Sequence, residues 1–277
     1  MERIVDEVCT LLGGLMLEDG RWLSRAELRP LSGREEEWLA RHPRVPSAVA
    51  VTHLLSACLL CLDDQPAHRD QVSRLLIGDR DYLMLHLRRL TLGETIRAVL
   101  TCQVCSAKMD VDFQAADVPV EYRPQTAASY TLDLVTGAGP DRTVHFRLPN
   151  GADQEAVLGL AGEQAVEALL ARCLLNEGGV ALVSSEQNMV IEAMEKLAPQ
   201  LELELELVCP ECSHAFMVLF DTTLFFLSEM STNVRQLVRE VNHLAFHYHW
   251  SEAEILSLTR WRRHMYLSLL SETLRSQ

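Results

Sequence analysis

Positive charge is scarce in this chain, repeats are missing, and the short strings that mark common enzymes are not found. Lys and Arg together number 25 against 39 Asp and Glu, a formal net charge of −14. Such a chain repels a phosphate backbone unless its cations gather on one face, which disfavours nucleic acid as a general partner. No Walker string, no Gly-x-Gly-x-x-Gly behind a strand, no Gly-x-Ser-x-Gly and no His-Glu-x-x-His occurs, which argues against several enzyme classes. No unit of 20 to 50 residues recurs, so solenoids and propellers drop out. The opening "MERIVDEVCTLLGG" lacks the basic start, apolar core and small-residue cleavage site of a secretory leader, so the expectation is a cytoplasmic chain until assembly or release. One stretch, "VPSAVAVTHLLSACLLCL" at 45–62, has the length of a membrane span. It carries Pro46, Ser47, Thr52, His53 and Ser56, and a buried helix accounts for it better.

What is present suits a large folded chain: 277 residues, 48% of them hydrophobic, allow one large domain or two smaller ones. The expected class is α+β, with five stretches. Residues 1–94 read as a helical N-terminal region, in which "PLSGREEEWLARH" sets Ser32 three positions before Glu35 as a capping box. Residues 47–62 read as a buried helix, and "QVSRLLIGDRDYLMLHLRRLTLG" as a helical pair around Gly78. Residues 95–122 alternate as strands, with "TIRAVLT" before a cysteine pair and "KMDVDF" after it. Residues 123–199 read as an inserted α/β segment: two strands joined by a Gly-Pro-Asp turn, a long helix in "DQEAVLGLAGEQAVEALLARCLL", and a helix capped by Ser184 or Ser185 and stopped by Pro199. Residues 200–221 repeat the frame of 95–122, with "LELELEL" and "HAFMVLF" around a second cysteine pair. Residues 222–277 read as a helical C-terminal region, where Ser251 and Glu254 repeat the capping box.

The eight cysteines stand at 9, 58, 61, 102, 105, 173, 209 and 212. Spaced pairs in a large chain without a leader point to metal or redox chemistry rather than to a disulfide framework. A two-residue gap lets both thiolates of a Cys-x-x-Cys turn face one ion, and two such turns complete a tetrahedron. Cys102, Cys105, Cys209 and Cys212 are therefore the candidate ligands of one structural zinc, at the centre of a bipartite zinc-ribbon-like element. A closed shell of this kind fastens a fold and leaves no position for substrate. Ser106 and Ser213 stand where zinc turns often carry glycine, so metal-free surface thiols remain the alternative. A thioredoxin-like role fits less well, because neither turn opens a helix behind a strand. Cys58 and Cys61 share the spacing but lie in an apolar run, where cysteine packs as a small hydrophobe, and the same account covers Cys9 and Cys173.

Other clusters have a plain reading beside a functional one. His243 and His247 have i, i+4 spacing with His249 close by, yet no acidic residue accompanies them, and packing at a helix end is favoured over a metal site. "RWRRH" at 260–264 is the densest positive cluster and includes Trp261. A helix face meeting acidic neighbours is favoured over a nucleic-acid contact. Asp79, Arg80 and Arg88 suggest an Asp-Arg network rather than catalysis.

Taken together, "LRPLSGREEEWLA", "LLIGDRDYLMLHLRRLTLG", the two cysteine turns, "VHFRLPNGADQ", "LLARCLL" and "VNHLAFHYHWSEAEILSLTRWRRHMYLSLL" resemble the T-even-type phage baseplate protein family, over nearly the whole chain. The resemblance implies a non-enzymatic component or assembly factor of the baseplate of a contractile phage tail or phage-tail-like injection system. It implies baseplate, hub or spike subunits as partners, no membrane partner, and a chain that is cytoplasmic or incorporated into the particle. The paired turns match at Cys102, Cys105, Cys209 and Cys212. Asp79, Arg80, Arg88, Trp250, Glu252, Arg262 and Arg263 fall in the family's charged motifs, as candidates for internal networks or subunit contacts. The alternative is a zinc-ribbon adaptor that binds nucleic acid or transcription machinery. A hydrolase using the histidines would need an open coordination position.

Overall fold

The computed structural model describes residues 7–124, 126–134, 142–176, 182–231 and 234–275. The described residues open on strands, not helices. β1 (Glu7–Met16) and β2 (Trp22–Leu28) pair antiparallel, with an irregularity between Thr10 and Leu15 where Gly14 takes a positive φ of 83°. Over the described residues, the expected helical N-terminal region thus begins only at Gly33. Arg25 and Glu27 alternate with buried Ala26 and Leu28, a period of two that suits a half-buried strand.

Helix α1 (Gly33–Arg41) begins at the expected cap: the Ser32 N–H donates to Glu35 Oε2 at 2.8 Å, while the Ser32 hydroxyl accepts from the Arg34 N–H. Helix α2 (Ser47–Cys58) stops four residues short of the expected end, and Leu59–Leu62 leaves as β3. The reason is pairing: β3 lies beside β2, with Ala26 opposite Leu62, and β4 (Gln65–Pro66) closes the order β1-β2-β3-β4. Cys58 therefore ends a helix and Cys61 sits in a strand. No described helix is long and apolar enough to cross a membrane.

Helices α3 (Arg69–Arg74) and α4 (Ile77–Leu92) meet at Leu75–Leu76, earlier than the expected break at Gly78. Gly78 lies instead in the first turn of α4, where an added Cβ would stand 2.0 Å from the Pro199 carbonyl oxygen. Helix α4 is buried on most sides, as its apolar residues all round require. Leu83, Met84 and Leu87 join the core of the four-stranded sheet, and Leu85 joins a second cluster beneath the cysteine hairpins. Gly93, at φ 97°, ends it.

β5 (Thr95–Thr101) and β6 (Lys108–Gln114) then form a hairpin in continuous register from Thr95↔Gln114 to Thr101↔Lys108. After a short 3₁₀ turn at Ala115–Asp117 comes β7 (Val120–Glu121). The excursion that follows contains the hairpin of β8 (Tyr130–Leu134) and β9 (Arg142–Phe146), whose expected Gly-Pro-Asp turn lies outside the described residues. Helices α5 (Gly151–Ala156), α6 (Glu163–Cys173) and α7 (Ser184–Leu197) complete it. The expected long helix is divided because Gly159 and Gly162 take φ of 85° and 55°, which a right-handed helix cannot contain. Val144, Phe146, Leu170, Cys173 and Val190 give this segment its own core. Neither Ser184 nor Ser185 caps α7. Val183 occupies that position, and the Glu186 carboxylate accepts the Val183 N–H at 3.0 Å.

The chain returns through β10 (Gln200–Leu201), which pairs with β7, and continues into β11 (Glu204–Val208) and β12 (Ala215–Leu219). The helices α8 (Thr222–Ser231), α9 (Val234–Tyr248), α10 (Glu252–Ser257) and α11 (Arg260–Arg275) finish it. Ser251 and Glu254 make the expected capping box on α10. The fold is mixed α/β.

Candidate metal centre

Each cysteine pair sits on the turn of a two-stranded hairpin, and the two turns are built alike. The Cys102 N–H donates to the Ala107 carbonyl at 2.9 Å and the Ser106 N–H returns to the Cys102 carbonyl at 3.0 Å. Correspondingly, the Cys209 N–H donates to the His214 carbonyl and the Ser213 N–H to the Cys209 carbonyl, both at 2.9 Å. Ser106 and Ser213 hold φ of 59° and 58°, the left-handed conformation that glycine adopts without cost. The serines have the glycine conformation and keep both turns closed.

The turns bring together the four thiols whose nearest halves are separated by 104 positions of sequence. Cys102 Sγ lies 3.8 Å from Cys212 Sγ, Cys105 Sγ lies 3.5 Å from Cys209 Sγ, and all four lie within 4.8 Å of one another. A tetrahedral ion with metal–sulfur bonds of about 2.3 Å needs sulfurs about 3.8 Å apart. The donor set and its spacing fit such an ion. Cys102 and Cys209 are buried against Met109, Leu207 and Phe216, and Cys105 and Cys212 are exposed, so the cluster has one dry wall and one wet one.

The electrostatics of the cluster favour the thiolate at one cysteine and the neutral thiol at another. Backbone N–H groups of Cys105 and Val104 aim at Cys102 and pull its thiol down to about 6. The Ala107 N–H acts in the same sense on Cys105, but the neighbouring Cys209 and Cys212 outweigh it and push that thiol up to about 12. Four acids in one small space cannot all ionise unless positive charge joins them. A closed set of four sulfurs leaves no ligand position for substrate.

The other sequence candidates are scattered. Burial pushes the thiols of Cys9 and Cys58 up to about 12 and that of Cys173 up to about 11, as inert packing cysteines require. Among the described residues, the four turn cysteines are the one group of three or more His, Cys, Asp or Glu placed to share an ion, and His243, His247 and His249 form none. Asp79, Arg80 and Arg88 do not pair with each other. Asp79 accepts the N–H groups of Gly13 and Gly14 at 3.0 and 3.1 Å, Arg80 reaches Ala48, Thr52 and Val72, and Arg88 holds Glu229. Within "RWRRH" the face is divided: Arg262 is exposed, whereas Arg263 is fully buried between Glu36 and Glu240. Trp250 stacks on Tyr248, and Glu252 is exposed in the first turn of α10. Glu229, half-buried, and Glu240, buried, were not singled out from sequence, where nothing local separates such a glutamate from a solvated one.

The family model described as T4 bacteriophage base plate protein matches residues 22–227, from the start of β2 into α8 and across both cysteine turns. The chain belongs to that family. No curated protein and no solved structure matches it. Membership points to a structural role in a phage baseplate and to contacts with other baseplate components, in a family that is generally non-enzymatic.

Proposed function

We propose that the chain is a non-enzymatic component or assembly factor of the baseplate of a contractile, phage-tail-like injection machine, with hub or spike subunits among its partners. Family membership over residues 22–227 carries this reading. In it, Cys102, Cys105, Cys209 and Cys212 hold one structural zinc as a zinc-ribbon-like clamp at the base of the excursion between β6 and β11. The ion would supply cohesion rather than chemistry, since four sulfurs close its shell. The chain would act in the cytoplasm during assembly or travel with the particle.

The nucleic-acid adaptor reading loses support where Arg263, one of the three arginines of its basic cluster, is consumed by two internal carboxylates. Affinity capture of the tagged chain from cells expressing the full set of tail genes tests the assembly reading. Co-purification of hub, spike or other baseplate subunits is expected. Capture that returns no tail component, or one replaced by salt-sensitive nucleic acid, would contradict it.

A further inference from the structure

The two cysteine hairpins present four strand edges, and their hydrogen-bond phase shows which residues face outward. In the second hairpin, the Cys209 N–H bonds to His214 and the Phe220 N–H bonds to Leu203. With the register Leu205↔Val218 and Leu207↔Phe216, the alternation of an antiparallel pair turns the backbone groups of 204, 206 and 208 out from β11 and those of 215, 217 and 219 out from β12. In the first hairpin, Cys102 bonded to Ala107 and Ala115 bonded to Glu94 set the same phase. Positions 95, 97, 99 and 101 then face out from β5, and 108, 110, 112 and 114 from β6.

Three of these edges carry charge: Glu204 and Glu206 on β11, Arg97 on β5, and Lys108, Asp110 and Asp112 on β6. Charged edges resist pairing with a further strand. The β12 edge has none. Its outward residues are Ala215, Met217 and Leu219, with Met217 56% and Leu219 65% exposed. No described strand pairs with it, and neither a proline nor a bulge interrupts it. The edge of β1 is handled differently, since Asp79 takes the N–H groups of Gly13 and Gly14 and the segment at Arg123 and Thr126 covers Leu12 and Gly13.

We propose that β12 pairs antiparallel with β12 of a second copy of this chain, about a two-fold axis at Met217, to give one sheet in the order β11-β12-β12-β11. The choice of occupant follows from charge and shape. Among the four hairpin edges, only another β12 offers an uncharged strand. The antiparallel register sets Met217 against Met217 and small Ala215 of each copy against large Leu219 of the other. Joining through β12 leaves the glutamates of the two β11 strands three strand spacings apart, about 14 Å, beyond the screening length of about 8 Å at physiological salt. Joining through β11 would set glutamates directly opposite each other, which is destabilising. A five-residue strand pair falls short of the roughly 1,200 Å² of a stable interface, so the dimer is weak and follows concentration.

Sedimentation equilibrium of the zinc-loaded full chain, from micromolar to near-millimolar, tests this. The mass is expected to climb from 31.2 kDa toward twice that value. Met217→Lys and Leu219→Lys should each hold it at the monomer mass. Both side chains are exposed, so unchanged zinc content and circular dichroism will show that the fold survives. Glu206→Lys should leave dimer formation in place. A wild-type chain that stays monomeric throughout overturns the proposal, even if its β12 then accepts a strand from another subunit, and so does a dimer that persists in Met217→Lys.

Discussion

Arg263 and Glu36 stand 227 positions apart in sequence and meet at 2.7 Å in the interior, Nη2 donating to Oε1. The guanidinium also gives Nε to Glu240 Oε2 at 2.9 Å and Nη1 to the Leu258 carbonyl at 2.9 Å, and it is fully buried. Around it the first turn of α1 is held against the C-terminal helices, with the Gly33 N–H donating to the Leu258 carbonyl. Removing the cation strands two buried carboxylates. Arg263→Ala is expected to cost about 3–5 kcal/mol in urea unfolding, whereas Arg262→Ala, on an exposed side chain, should change stability by less than about 0.5 kcal/mol. Equal small effects would contradict the latch.

The same cluster fixes an acid limit. Burial works to raise the Glu240 carboxyl, but hydrogen bonds from His264 and Arg263 and the Arg263 charge outweigh it and hold it down to about 2. A carboxylate with a depressed folded value contributes stability that is present above its ordinary value near 4.5 and is lost as pH falls toward 2. Stability measured from pH 6 to pH 2 should therefore fall more steeply in the wild type than in Glu240→Gln. Parallel curves for the two proteins would remove this assignment.

Gly78 gives a steric test. A methyl group there meets the Pro199 carbonyl oxygen at 2.0 Å, and backbone cannot rotate aside. Gly78→Ala should destabilise by about 1–3 kcal/mol, although alanine is the better helix former. An unchanged or raised melting temperature would show that the contact between α4 and the end of the excursion is loose.

The left-handed serines predict the opposite sign. Ser106→Gly and Ser213→Gly relieve a side chain at φ 59° and 58°, and each should stabilise by about 1 kcal/mol with metal content unchanged. Destabilisation of both would mean that the serine side chains support the turns in some other way.

Local patterns in the sequence reached local structure. The two capping boxes, the β5–β6 strands and the matching frames of the cysteine turns were legible because each depends on residues a few positions apart. The N-terminal strands were missed because Gly13 and Gly14 interrupt β1 and its alternation is imperfect. The end of α2 was missed because an apolar run reads alike as helix or strand until β2 is known to lie beside it. The sequence places Arg263 on a helix face meeting acidic neighbours and makes it a candidate for an internal network, but its full burial and the choice of Glu36 and Glu240 as partners are not legible, because no helical or strand period connects them to it. The four cysteines were legible at long range because their chemistry, rather than periodicity, announced the pairing.

Metal analysis combined with sulfur-edge and zinc-edge X-ray absorption tests the central claim most directly. The account predicts one zinc per chain, bound by four sulfurs at about 2.3 Å, with the ion lost from both Cys102→Ser and Cys209→Ser. Protein that carries no zinc, or zinc held by nitrogen or oxygen ligands, or binding that survives loss of either turn, would contradict it.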